Sequence, residues 1–136
     1  MTKPPNQAQK WFDKAEEDLK AIKILLSVED TAYGIICYLA QQSAEKYLKG
    51  FLTFTGIKPP KIHDLPQLKN LCALVDVYTI ENAIKILNYY AIEPRYPMLL
   101  QEEYSKEEAQ KASELAQEVK GAVMEAIRRI ELKKPS

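Results

Sequence analysis

The feature that most constrains this chain lies in its C-terminal segment, where Ala109, Ala112, Ala116, Val119, Val123, Ile127 and Ile130 recur at steps of three and four residues. An α-helix puts such a series on one face, and a strand does not. Ser105-Lys106-Glu107-Glu108 stands immediately before it. That is the form of a capping box, in which the Ser hydroxyl and the Glu carboxylate reach back to backbone N–H groups that the first turn leaves without partners. A helix of about 26 residues is expected from the length of the pattern. Long and apolar on one side only, it has to be buried against other helices.

The remaining chain supplies them. Between Asn6 and Leu26 the residues Trp11, Phe12, Ala15, Leu19, Ile22 and Leu26 share one face, and Asn6 with Gln9 has capping-box spacing. Asp30 or Thr31 is placed to cap a second helix running to about Phe54. Its largely apolar stripe is wide: Ala32, Ile35, Ile36, Leu39, Ala40, Ser43, Ala44, Tyr47, Leu48 and Phe51. A helix contacted on several sides, and so the central one, is the expectation. Pro59 and Pro60 end it, since proline lacks the N–H and forces its predecessor toward extended geometry. Asp64, with Pro66 and Gln67 behind it, opens a short helix from Leu65 to about Leu74. A fourth helix carries Ile80, Ala83, Ile84, Leu87 and Tyr90 or Ala91 and stops before Pro94, and Ile92 to Tyr104 reads as a loop.

No segment alternates apolar and polar residues over the length of a strand, and there are only 4 glycines, too few for a set of hairpins. The fold class is therefore all-α, an antiparallel bundle of helices joined by short loops. A chain of 136 residues, 46% hydrophobic, suits one domain over residues 1–136, with a core of about 8–130 and frayed termini.

Charge excludes some partners. The 19 basic and 19 acidic side chains cancel, so no global field draws the protein to nucleic acid or anionic lipid, and such binding requires a local patch. No apolar stretch has membrane-spanning length and the first ten residues lack a secretion signal's apolar core, so a cytoplasmic location is expected. Cys37 and Cys72 stand among apolar residues and read as reduced packing residues. Dinucleotide and P-loop glycine patterns are missing, and one histidine cannot make a two-histidine zinc site within one chain, so neither cofactor nor metal is expected.

The candidate chemistry is concentrated in three places. On the second helix Tyr38, Gln42, Glu45, Lys46 and Lys49 form one polar face, either a solvated stripe carrying a Glu45–Lys49 ion pair or a surface for a ligand or partner. His63 precedes a helix start, where N–H groups and the dipole favour an anion, but a residue there is more often a loop residue or a cap. Glu93-Pro94-Arg95-Tyr96-Pro97 holds an Arg and an aromatic ring between two prolines, as a preorganised phosphate contact or as a structural loop.

Four passages together resemble the HEPN family: Trp11 with Ala15 to Leu19, Ala40-Gln41-Gln42-Ser43-Ala44-Glu45-Lys46-Tyr47-Leu48-Lys49, Ile62-His63-Asp64-Leu65, and Tyr90 followed by Pro94-Arg95-Tyr96-Pro97. The resemblance covers about residues 8–125. It implies an antiparallel up-and-down bundle of four long helices plus a short helix that is commonly a homodimer, often works beside a minimal nucleotidyltransferase, and frequently belongs to a toxin–antitoxin module. Many members of the family are metal-independent RNases with an Arg, four to six residues, then a His. This chain departs from that signature, because no histidine follows Arg95. The leading expectation is thus a nucleotide- or RNA-associated binding component acting with a nucleotidyltransferase partner, its site formed by Gln42, Glu45, Lys46, Lys49, His63, Arg95 and Tyr96. An RNase using Arg95 and His63 as catalytic residues is one alternative, and a non-catalytic dimerisation or interaction module is the other. The missing histidine weighs against an enzyme.

Overall fold

A computed structural model describes residues 5–73, 77–91 and 103–133. Among these are five α-helices and no strand: α1 (Pro5–Leu26), α2 (Tyr33–Phe54), α3 (Leu65–Leu71), α4 (Val77–Asn88) and α5 (Lys106–Lys133). The all-α bundle expected from periodicity is the fold observed. α2 is its axis and packs against all four other helices.

The α1/α2 contact shows how the packing is achieved. The Phe12 ring stacks on Tyr47 with centroids 5.8 Å apart. The Ser43 hydroxyl donates to the Ala15 carbonyl at 3.2 Å, and Lys46 pairs with Asp18. Gly50 faces Phe12 while Ser43 faces Ala15, so these contacts run in opposite senses along the two helices and the pair is antiparallel. Close approach depends on small residues at the crossing: Ala15, Ala40 and Ala44 are fully buried, and a Cβ at Gly50 would overlap the Phe12 ring. Around this seam Leu48, Leu52, Leu65, Leu68, Ile80, Leu87 and Leu115 are almost wholly buried, each stabilising the fold by about 1.5–3 kcal/mol relative to exposure.

Helix ends follow local chemistry, with corrections. α1 begins at Pro5, which puts Asn6 inside the first turn rather than at its cap. Proline suits that first position because its missing N–H would have no helical partner. α2 starts after Ala32 without a side-chain cap, and neither Asp30 nor Thr31 caps it; Asp30 instead takes the left-handed turn at φ 51°. The end of α2 is a Schellman-type closure, with Gly56 at φ +96° and the Ile57 N–H donating to the Leu52 carbonyl at 2.9 Å.

The α3 cap is as expected, since the Asp64 carboxylate accepts from the Gln67 N–H at 3.0 Å. The same carboxylate accepts from the Asn88 amide, whose oxygen accepts from the Leu65 N–H, so the last residue of α4 clamps the first turn of α3. α3 stops at Leu71, short of the expected Leu74. In the α5 capping box the Ser105 hydroxyl accepts from the Glu108 N–H at 3.0 Å, but the Glu108 carboxylate turns to the Tyr90 hydroxyl at 2.6 Å. Burial and that hydrogen bond both push the Tyr90 pKa up.

Ala32 and Ile35 of the expected α2 stripe are exposed, Ile35 at 49%, as is Leu71 of α3 at 44%. All three lie at or near a helix end, where fewer neighbouring residues cover them. Cys37 and Cys72 are buried free thiols, and burial pushes each up to about 12. No described helix is long and apolar enough to cross a membrane.

Candidate functional site

The site is built on one turn of α2 and the loop before α3. Glu45 and Lys49 stand four residues apart on α2, so helical geometry brings their side chains together, with Lys49 Nζ 3.1 Å from Glu45 Oε2. Only 5% of Glu45 and 6% of Lys49 are exposed. A solvated stripe is therefore ruled out for this pair. The loop from Gly56 to Asp64 folds back over α2 and sets His63 Nδ1 at 3.0 Å from Glu45 Oε1 and 3.2 Å from Oε2.

Gln41 completes the arrangement one turn earlier. It is wholly buried, and its amide nitrogen donates to Glu45 Oε1 and to the His63 backbone carbonyl, each at 3.3 Å. Gln42 donates to the Gln41 side-chain oxygen at 2.7 Å. On the opposite side the Lys49 ammonium lies 5.7 Å from the centroid of the Trp11 indole, within cation–π range. The result is a chain of contacts from Trp11 through Lys49 and Glu45 to His63.

Its electrostatics follow from the donors and acceptors. A carboxylate facing an ammonium is ionised and can only accept, so the His63 nitrogen next to it, Nδ1, carries the proton. In the neutral ring Nε2 is then the basic nitrogen. An imidazole oriented by a carboxylate in this way can hold a phosphate oxygen when protonated or take a proton from a hydroxyl when neutral. The His63 side chain is 41% exposed while Glu45 is buried, so the pair meets solvent at the imidazole.

The candidate residues divide into three groups. Gln42, Glu45, Lys49 and His63 are gathered into this cluster. Lys46 turns away to α1, where it meets Asp18 at 2.8 Å. Burial raises the Asp18 pKa, with the hydrogen bond and charge of Lys46 opposing the rise. Arg95 and Tyr96, with most of the loop expected over Ile92 to Tyr104, lie outside the described residues. Among the described residues no three His, Cys, Asp or Glu side chains are arranged to hold a metal ion.

The HEPN domain model matches residues 8–127, most of the bundle and all of this cluster. The chain belongs to the HEPN family. Among solved structures this HEPN bundle is similar to TT1696 from Thermus thermophilus, with 32% identity over 89% of this chain and 98% of that one and a TM-score of 0.76. It is also similar to ST0689, an archaeal HEPN homologue, with 26% identity over 90% of this chain and 99% of that one and a TM-score of 0.66. No curated protein matches the chain.

Two members of the HEPN cluster escaped sequence reasoning as site residues. Gln41 carries a signal that could have found it, since it precedes Glu45 by four residues on the same helix. Trp11 carries none toward Lys49, because the contact joins two helices and depends on how they cross. The aspartate of the His63-Asp64-Leu65 passage is structural, as the cap of α3.

Proposed function

We propose that this HEPN protein is a nucleotide- or RNA-associated binding component that acts as a cytoplasmic homodimer with a nucleotidyltransferase partner, in a toxin–antitoxin-like module. The observation that carries the binding reading is the buried Glu45 carboxylate holding His63 at the rim. A buried ion pair seldom stabilises a fold more than apolar side chains of the same size do. A charged cluster on the central helix therefore has another use, and the one its geometry supports is to orient the imidazole toward an anion. In this reading His63 and Arg95 hold phosphate and Tyr96 stacks on a base. The partner and the module follow from the family resemblance.

Binding of a nucleotide or short RNA raises the melting temperature, by an amount that grows with ligand concentration. His63→Ala and Arg95→Ala each remove the shift while the unliganded proteins still melt cooperatively. No shift at about ten times a millimolar Kd rejects the reading. Co-purification with an encoded neighbouring nucleotidyltransferase tests the partner.

The Glu45–His63 pair also favours a second reading, a metal-independent RNase. Attack by a ribose 2′-hydroxyl needs a proton acceptor, which His63 Nε2 would provide, and a cation for the developing charge, which Arg95 would provide. Cleavage of single-stranded RNA in the presence of a chelator is then lost in His63→Ala and slowed in Glu45→Gln. Intact RNA after prolonged incubation rejects it.

A further inference from the structure

Beside the cluster, on the Trp11 side, an open cleft of about 720 Å³ separates the first half of α1 from the loop after α2. Small-molecule sites commonly span roughly 300–1,000 Å³. Its lining includes Gln7, Lys10, Trp11, Lys14, Lys58 and Pro59 and, among the described residues, no carboxylate. In a chain whose charges balance overall, a concavity lined by three lysines and by no acid among the described residues is a local positive field of the kind the composition otherwise denies. Lys10 and Lys58 have no acidic partner within salt-bridge distance among the described residues. Lys14 meets Glu17 at 3.5 Å, but both side chains are about two-thirds exposed, so that pair exchanges readily with solvent.

The walls are better fixed than the lysine tips. The Gly56 closure and the two prolines at 59 and 60 set the course of the loop that carries Lys58. The Trp11 indole is held by the buried Lys49 ammonium, whose charge Glu45 already balances. The cleft thus offers a placed aromatic ring, a proline surface, an amide at Gln7 and uncompensated ammonium groups.

We infer that this cleft binds a nucleoside polyphosphate, its base against Trp11 and Pro59 and its phosphates among Lys10, Lys14 and Lys58. Ammonium groups on flexible stems act as point charges for phosphate, the indole stacks on any base, and Gln7 can hydrogen-bond to a base edge. The inference takes its ligand class from the function proposed above, but places it at different residues from His63 and Arg95.

Trp11 is the sole tryptophan of the chain, so its fluorescence reports the cleft directly. Titration with a nucleoside triphosphate, corrected for absorption, is expected to quench it saturably, with a midpoint below about 1 mM. Tripolyphosphate alone and the nucleoside alone are each expected to bind at least about tenfold more weakly. The double variant Lys10→Gln with Lys58→Gln raises the midpoint by at least about tenfold, and added salt weakens binding further. The absence of a saturable response, a response the double variant leaves unchanged, or tripolyphosphate binding as tightly as the nucleotide overturns the assignment. A thermal shift that survives the double variant without a Trp11 response overturns the cleft and leaves the function proposed above standing. A Trp11 response in a protein whose thermal shift does not depend on His63 or Arg95 supports the cleft and rejects the other site.

Discussion

Glu45 with Lys49 on α2 and Glu125 with Arg129 on α5 are the same motif, an acid followed four residues later by a base on a helix. The Glu45–Lys49 distance is 3.1 Å and the Glu125–Arg129 distance 3.2 Å, yet the side chains of the first pair are 6% and 7% exposed and those of the second 40% and 58%. Around Glu125, with Arg128 joining it, water and salt screen the attraction and the ends of the side chains are free to separate. Around Glu45 nothing screens it, and each charge depends on the other. Spacing creates an ion pair, but burial decides what its loss costs.

The sharpest way to break this comparison is Glu45→Ala, which strands the Lys49 ammonium in the core and takes the carboxylate away from His63. A loss of about 3–5 kcal/mol is expected from denaturant unfolding. The double variant Glu45→Gln with Lys49→Met removes both charges and is expected to recover much of that loss. A single variant that costs less than about 1 kcal/mol would put the pair in the surface class.

Asp18 with Lys46 is an intermediate case, with side chains 12% and 23% exposed. Burial raises the Asp18 pKa above its usual 3.8. The folded state then holds the proton more tightly than the unfolded state, so stability falls as pH rises through the interval just above 3.8 and levels off beyond the folded pKa. Asp18→Asn is expected to change stability at neutral pH by less than about 1 kcal/mol, despite the 2.8 Å contact, and to flatten that acidic slope.

The smallest effect belongs to Glu125→Ala. Hydrogen bonding and charge from Arg128, followed by the charge of Arg129, lower the Glu125 pKa from 4.5 to about 2. A depressed carboxylate adds stability that is in place above 4.5 and is lost as pH falls toward about 2. Exposure makes that contribution small, and thermal melts of wild type and variant are expected to converge in about 1 M salt. Persistence of a difference at high salt would mean that Glu125 is more sheltered than its exposure indicates.

Legibility followed the range of the interactions. The caps at Asp64 and Ser105 were readable because each accepts from a backbone N–H three residues on, and the core series on α5 because its spacing is itself local. The wide stripe of α2 correctly marked it as central, but its period ran on into Ile35, because periodicity records which residues share a face and not where the covering helices end. The burial of Glu45, the approach of His63 across 18 residues and the seat of Trp11 over Lys49 all depend on which segment crosses α2 and at what height.

By itself, then, the sequence determined the helices, most of their ends, the α2 axis and the HEPN family, since helix formation is local and apolar periodicity is enforced by one-sided burial. Only the tertiary structure decided that a Glu/Lys pair of the commonest surface spacing is enclosed, that it fixes an imidazole, and that a lysine-lined cleft stands beside it. Those properties depend on dielectric and on distances between separate segments, and both are set by the packing of the helices.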